Sequence, residues 1–340
     1  MTGSRLRLGR SQILAFRRRV GALDERLPPG RRSLRRAAWA GLQDSVPRSA
    51  LLSIHARVEG TLPSTWEDAS LLQLWGPRHS TYVVAARDLA IFSVGRLPDD
   101  ARARRKAEDL AARLHATLRG RRMSDGEAGR ALGTNPSWLR YAAPTGTIVI
   151  RWDGARTPTI WTVPPPKVGA PAARLELARR YLHIFGPASP EAFAGWAGIR
   201  PRQASEAFDD LRRSLTPVRT SLGDAWILAR DEPTLRAPFG AAAPVRLLPS
   251  GDAYTLHQGR DRELLVPDAN RRRALWTSRV WPGALLVEGE IVGTWRRSQA
   301  EVTIYAWRRL TRAAREAVEA ETASLPIPGS HGHMVVRWDD

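Results

Sequence analysis

Apolar residues recur at helical spacing in "SQILAFRRRVGAL", and Pro28, Pro29 and Gly30 then enforce a turn in "LPPGRR". A second helical pattern, "PRSALLSIHARV", predicts a helix beginning at Pro47, since proline suits a first helical turn. "STYVVAARDLAIFSV" reads as a strand over Thr81 to Ala85 followed by a short helix. Residues 107–163 have a clearer plan. "AEDLAARLHATLRG" predicts a helix closed by Gly120, and "MSDGEAGRALG" starts at Ser124, has Glu127 at capping-box spacing and stops at Gly133. "NPSWLRYAA" predicts a third, short helix with Asn135 as N-cap. "TIVIRWDGARTPTIWTV" alternates as a strand with Ile148, Ile150 and Trp152 on one face, turns at Asp153-Gly154 and returns. Three helices and a β-hairpin make a winged helix.

The plan then repeats. "ARLELARRYLHIFG" is a helix ending at Gly186, and "SPEAFAGWAG" runs from Ser189 to Gly198, the same span as Ser124 to Gly133, 65 residues further on. "RPRQASEAFDDLRRSL" supplies the third helix and "TPVRTSLGDAWILA" a hairpin turning at Gly223-Asp224, with "PPPK" and "VGAP" as the linker between units. From about residue 244 the pattern becomes strand-like in "VRLLP", "ALLVEGEIVGTW" and "EVTIYAW", with "EGE" at a hairpin turn. "LTRAAREAVEAETASL" follows as one exposed amphipathic helix before an irregular tail. The expected architecture is α+β: three tandem winged helix-turn-helix domains with a C-terminal β-rich portion. The expected divisions are 1–100, 101–168, 169–243 and 244–340.

Charge narrows the function. The chain has 340 residues and a formal net charge of +19, which draws phosphate polyanions. Lys106 and Lys167 are its lysines, so nearly every cation is arginine, as a GC-rich genome would also impose. There are no cysteines, which excludes thiolate metal sites, thiol nucleophiles and disulfides. The basic N-terminus has "ILAF" as its longest apolar run, too short for a signal-peptide core, and no stretch approaches the ~20 apolar residues of a membrane helix. The expectation is a bacterial cytoplasmic, nucleoid-associated monomer that binds double-stranded DNA. It calls for no membrane, cofactor, metal or obligatory protein partner.

In a helix-turn-helix the third helix offers its exposed side to a groove, and the wing reaches phosphate or the minor groove. Arg140 lies on one such helix, Arg200 and Arg202 open the other, and Arg151 and Arg156 flank a wing. Each is a candidate DNA contact, against the plainer reading of a solvated or protein-binding face. Trp75, Trp138, Trp152, Trp161, Trp196 and Trp226 lie at apolar-periodic positions, which favours core packing over base stacking. His331 and His333 form half a metal site at most, with no third ligand nearby.

The stretches "WAGLQDSVPRSALLSIHARV", "LWGPRHSTYVV", "ARRYLHIFGPASPEAFAGWAGI", "VRLLPSGDAYTL" and "VEGEIVGTWRR" together resemble the AlkZ-type winged-helix DNA glycosylases, in the family's order and over nearly the whole chain. The resemblance implies tandem winged helices, a β-rich C-terminal portion and release of alkylated or bulky, crosslinked bases from duplex DNA. It also implies a catalytic motif of Gln, an apolar residue, then Gln or Asp, at "QDS". Gln43 matches the first position, while Asp44 stands where the apolar residue is expected and Ser45 where the second polar one is. Of the family's Arg-Gly-Thr-x-His pattern, Arg78 matches, and His79, Ser80 and Tyr82 replace the other three. The candidate catalytic residues are therefore Gln43, Asp44 and Ser45, with Arg48 and Arg78 added to the DNA contacts. In an extended segment Gln43 and Ser45 face one way and Asp44 the other, unless the backbone bulges there. A glycosylase and a non-catalytic DNA-binding protein on the same scaffold both remain open, as does a protein-interaction module.

Overall fold

The computed structural model describes residues 5–154, 156–238, 240–327 and 334–339. It is a mixed α+β structure in which three sheets carry the organisation. The largest has six strands in the order Leu42–Gln43, Thr81–Ala85, Leu71–Trp75, Ile148–Arg151, Thr159–Thr162 and Met123–Ser124. Its central join sets Gln73 opposite Ile150, so the hairpins on either side of residue 100 form one continuous surface. A five-stranded sheet is built from Val245–Leu248, Gly283–Val287, Glu290–Ser298, Glu301–Ala306 and Val335–Trp338. The last strand runs parallel to Glu301–Ala306, so the tail expected to be irregular is tied into the sheet. In the third sheet Leu6–Arg7 lies parallel to Leu215–Thr220, which pairs in turn with Gly223–Leu228.

Local signals account for several element ends. The Ser124 hydroxyl accepts from the Glu127 amide while the Glu127 carboxylate accepts from the Ser124 amide, and Gly133 closes that helix, Asp125–Leu132, in the left-handed region. The Ser189 hydroxyl accepts from the Ala192 amide at the start of Pro190–Ala197, and Gly198 ends that helix. Two expectations shift. The helix after "QDS" runs Ser49–His55 rather than from Pro47, because Arg48 sits at φ 68 and admits no helical turn before it. Residues Pro136–Thr145 wind as a tight 3-10 helix, with Pro144 inside it lacking the amide that an α-helix would use.

Packing ties distant parts of the chain together. Tyr181, Phe185, Phe193, Trp196 and Phe208 form an aromatic core that also takes in Leu74, Tyr82 and Phe92 from the first hairpin and its following helix. Leu52, from the helix Ser49–His55, is buried with Leu247, Leu285 and Val302 of the five-stranded sheet. A buried polar tie lies between the same two regions. Arg57 donates through Nη1 and Nη2 to Asp252 Oδ2 and Oδ1 at 2.7 and 2.8 Å, with Asp252 fully buried. The Ser53 hydroxyl donates to Asp252 Oδ2 at 2.7 Å, and the Tyr254 amide to Oδ1 at 2.8 Å. With every carboxylate lone-pair direction in use, this buried pair is well compensated.

Arg57→Ala strands a buried carboxylate and is expected to destabilise the fold by on the order of 3–5 kcal/mol. Urea denaturation monitored by tryptophan fluorescence measures it. A loss below about 1 kcal/mol, the scale of an exposed ion pair, would contradict the burial argument.

Candidate active site

"QDS" leaves the edge of a sheet: Gln43 ends a strand, Asp44 is still bonded to the neighbouring strand and Ser45 lies in the bend that follows. Leu42 pairs with Val83 and Gln43 with Tyr82, and the Asp44 amide donates to the Thr81 carbonyl at 2.8 Å. Extended backbone alternates its side chains, so Gln43 and Ser45 face a cavity while Asp44 points into the interior, 2% exposed. There Asp44 Oδ1 accepts from the Ala50 amide at 3.0 Å and Oδ2 from Gln73 Nε2 at 2.8 Å. Gln73 cannot turn over. Its Oε1 accepts from the Trp152 amide at 2.7 Å, and its Nε2 also donates to the Trp152 carbonyl at 3.1 Å. Burial pushes the Asp44 carboxyl up to about 6, against the Ala50 and Gln73 hydrogen bonds and the charges of Arg48 and Arg151.

The cavity encloses about 380 Å³ and draws on both ends of the chain: Gln43, Ser45, Arg78 and Ser80 from one side, Ser250, Gln258, Arg279 and Trp281 from the other. Arg78 Nη2 donates to Gln43 Oε1 at 3.1 Å, and Nη1 donates to the Trp196 carbonyl at 2.8 Å, in the last turn of helix Pro190–Ala197. A guanidinium has no acceptor, so the amide oxygen of Gln43 must be the atom facing it. Gly251, at φ +73, lies over the same amide: a Cβ there would come within 3.3 Å of Gln43 Cδ and Nε2. Gln43 is thus clamped between Arg78 and a glycine that allows close approach. Among the described residues lining the cavity none is a carboxylate.

The sequence model of the AlkZ-like DNA glycosylases matches residues 36–326. The chain belongs to the AlkZ-like DNA glycosylase family. Its structure is similar to that of the Streptomyces sahachiroi DNA glycosylase AlkZ, at a TM-score of 0.80 and 20% identity, covering 98% of this chain and 100% of that one. No curated protein matches the sequence. Among the described residues no helix is long and apolar enough to cross a membrane.

Against the family pattern, the departures have definite places in the fold. Asp44 occupies the inward position where the family has an apolar residue, and its carboxylate serves the Ala50 and Gln73 contacts instead of the cavity. Ser45 is exposed at the cavity wall. Tyr82 is fully buried, its hydroxyl 3.5 Å from Gln43 Oε1. Arg48 and Arg151 do not line the cavity: their guanidiniums lie 4.0 and 3.7 Å from the ring centre of the buried Trp66, and Arg151 also pairs with Glu67 at 3.1 Å. Arg140 is half-buried and donates to the Ser137 carbonyl, while Arg156, Arg200 and Arg202 are exposed, Arg202 beside Glu206 at 2.8 Å. None of these four lines the cavity.

Sequence reasoning missed Gln73, Ser250, Gly251, Gln258, Arg279 and Trp281. The turn signal in "PSGD" was available for Gly251, but nothing local pairs it with Gln43. Trp75 and Trp196 are core residues as expected, whereas Trp138 is 61% exposed: its 3-10 helix turns that side chain outward. His331 and His333 lie outside the described residues.

Because the Asp44 value is raised on folding, from 3.8 to about 6, its favourable contribution to stability is complete below the lower value and lost as pH rises through the upper. Asp44→Asn removes the titration. The unfolding free energy of wild type minus that of the variant should fall by on the order of 2–3 kcal/mol from about pH 4 to pH 7. Denaturant melts across that range test it, and a difference that is flat or rises with pH would refute the assignment.

Proposed function

We propose that the chain is a DNA-repair glycosylase that releases alkylated or bulky, crosslinked bases from duplex DNA in the bacterial cytoplasm, at the nucleoid. In this reading three winged helices and the β-rich C-terminal portion clamp the duplex, and the damaged nucleotide turns out into the Gln43 cavity. One observation carries it: Gln43 is clamped by Arg78 and Gly251 at the wall of a polar cavity large enough for a base.

The chemistry follows from what lines that cavity. Cleaving an N-glycosidic bond builds oxocarbenium-like charge on the sugar while the base departs. With no carboxylate in the wall, proton abstraction contributes little, and the leaving group has to supply the drive. A cationic N-alkylated purine does so, because its glycosidic bond is already weakened. Gln43, with its second carbonyl lone pair and its amide hydrogens, and Ser45, two residues along the same face, orient the attacking water. Arg78 is a positioning residue for Gln43 and, with Arg279, meets the phosphates beside the extruded nucleotide. Asp44 fixes the backbone on which Gln43 stands. Arg140, Arg151, Arg156, Arg200 and Arg202, with Arg48, add positive charge along the duplex path.

The same missing carboxylate favours a second reading, in which the site binds lesions without cleaving them. Incubation with duplex DNA containing 7-methylguanine separates the two. Wild type is expected to leave abasic sites, and Gln43→Ala to slow their formation by about 10²-fold or more while duplex affinity is kept. Asp44→Asn is expected to leave the rate per folded molecule near wild type. Tight binding with no base released by wild type would select the binding-only reading, and a large loss in Asp44→Asn would return Asp44 to the role of base.

Duplex binding itself should weaken steeply with salt, with a slope of about −0.9 in log K against log salt for each phosphate contact. A flat response in a titration from low to physiological salt would remove DNA as the partner.

A further inference from the structure

Beside the Gln43 cavity, on the other side of residues 77–80, lies a second one of about 550 Å³. It is bounded by the helix Ala101–Leu118 and the 3-10 helix Pro136–Thr145, and its wall includes His79, Lys106, Arg113, Trp138 and Tyr141. Trp138 and Tyr141 are 61% and 52% exposed, an uncommon state for two large aromatics on adjoining turns of one short helix. Lys106 and Arg113 are exposed, and no carboxylate is among the described residues of the wall. The combination of aromatic faces with unopposed cations fits a nucleotide: stacking for the base and charge for the phosphate.

His79 sharpens this. It stands at φ +57, next to Arg78 at φ +53, where the family pattern has a glycine. Two successive side chains in the left-handed region are strained, and such strain persists where the surrounding structure holds it. The imidazole packs edge-on against Tyr141, ring centres 4.8 Å apart, both in the cavity wall. Burial keeps it neutral by pushing its pKa down to about 4. Its Nδ1 is buried away from solvent, with no hydrogen-bond partner among the described residues. The ring therefore backs Tyr141 rather than offering a polar group to a ligand.

We propose that this second cavity binds an unpaired nucleotide, its base stacked on Trp138 and Tyr141, with Lys106 or Arg113 meeting its phosphate. Its wall at His79 adjoins Arg78 of the Gln43 cavity, so the two cavities share the segment 78–80. This deepens the DNA reading and rests on it in one respect: a DNA strand presents the nucleotide.

The test is calorimetric titration of the full chain with deoxyadenosine monophosphate and with deoxyadenosine, which lacks the phosphate, alongside binding of a fully paired duplex. Wild type should bind the nucleotide about tenfold more tightly than the nucleoside. Trp138→Ala, at an exposed position, should weaken it about tenfold. Lys106→Ala combined with Arg113→Ala, both at exposed positions, should bind the nucleotide and the nucleoside equally. Absence of saturable nucleotide binding, or affinity and discrimination unchanged in both variants, overturns the proposal even if duplex binds. Nucleotide binding without duplex binding would instead overturn the DNA reading and leave the cavity standing.

Discussion

The geometry of the candidate site depends on the buried pair between Arg57 and Asp252. The two residues stand 195 positions apart, and their bidentate contact joins the helix after "QDS" to the loop that carries Ser250 and Gly251. Closing so large a loop costs chain entropy that one ion pair does not offset. The pair works because Leu52 and its neighbours in the five-stranded sheet already bury the same interface. The apolar contact supplies the association; the bidentate geometry, with Ser53 and Tyr254 filling the remaining directions, fixes the register. Only in that register does Gly251 lie over Gln43 and give the cavity its second wall.

A second constraint runs sideways through the sheet. Asp44 reaches Gln73, and Gln73 is locked by both backbone groups of Trp152 on the hairpin beyond residue 100. The strand bearing Gln43 is thereby connected to the hairpin of Ile148–Arg151 and Thr159–Thr162 through polar groups that can be satisfied in one arrangement only. The cost is a carboxyl held in a dry environment that raises it to about 6. An apolar residue at this position would avoid that cost but would leave the Ala50 amide and the Gln73 amide hydrogen without their acceptor.

What the sequence made legible follows from the range of each interaction. The helix ends at Ser124, Gly133, Ser189 and Gly198 are set by residues three to nine positions apart, and all were readable. So was the opposite facing of Gln43 and Asp44, a consequence of strand pleat alone. The pairing of Leu6–Arg7 with Leu215–Thr220 was not, since two residues carry no periodicity. Nor was the burial of Gln73, a polar residue in an apolar run, which only its partners Asp44 and Trp152 explain. Arg48 and Arg151 carried the charge expected of DNA contacts, yet both lie against Trp66; arginine's flat, weakly hydrated head serves packing as readily as phosphate binding. Charge was legible, but its use was not.

The loop between the two cavities shows how function and strain share one short segment. Arg78 takes a left-handed conformation and sends its guanidinium to Gln43 and to the end of helix Pro190–Ala197. Gly198 closes that helix, and a side chain there would come within 3.0 Å of the Arg78 backbone. The helix end therefore does two things: its Trp196 carbonyl, carrying partial negative charge, holds the guanidinium, and its terminal glycine leaves room for the strained turn. Because the adjacent His79 shares that turn and packs on Tyr141, the residue that clamps Gln43 and the residue that backs the second cavity stand on one strained backbone segment.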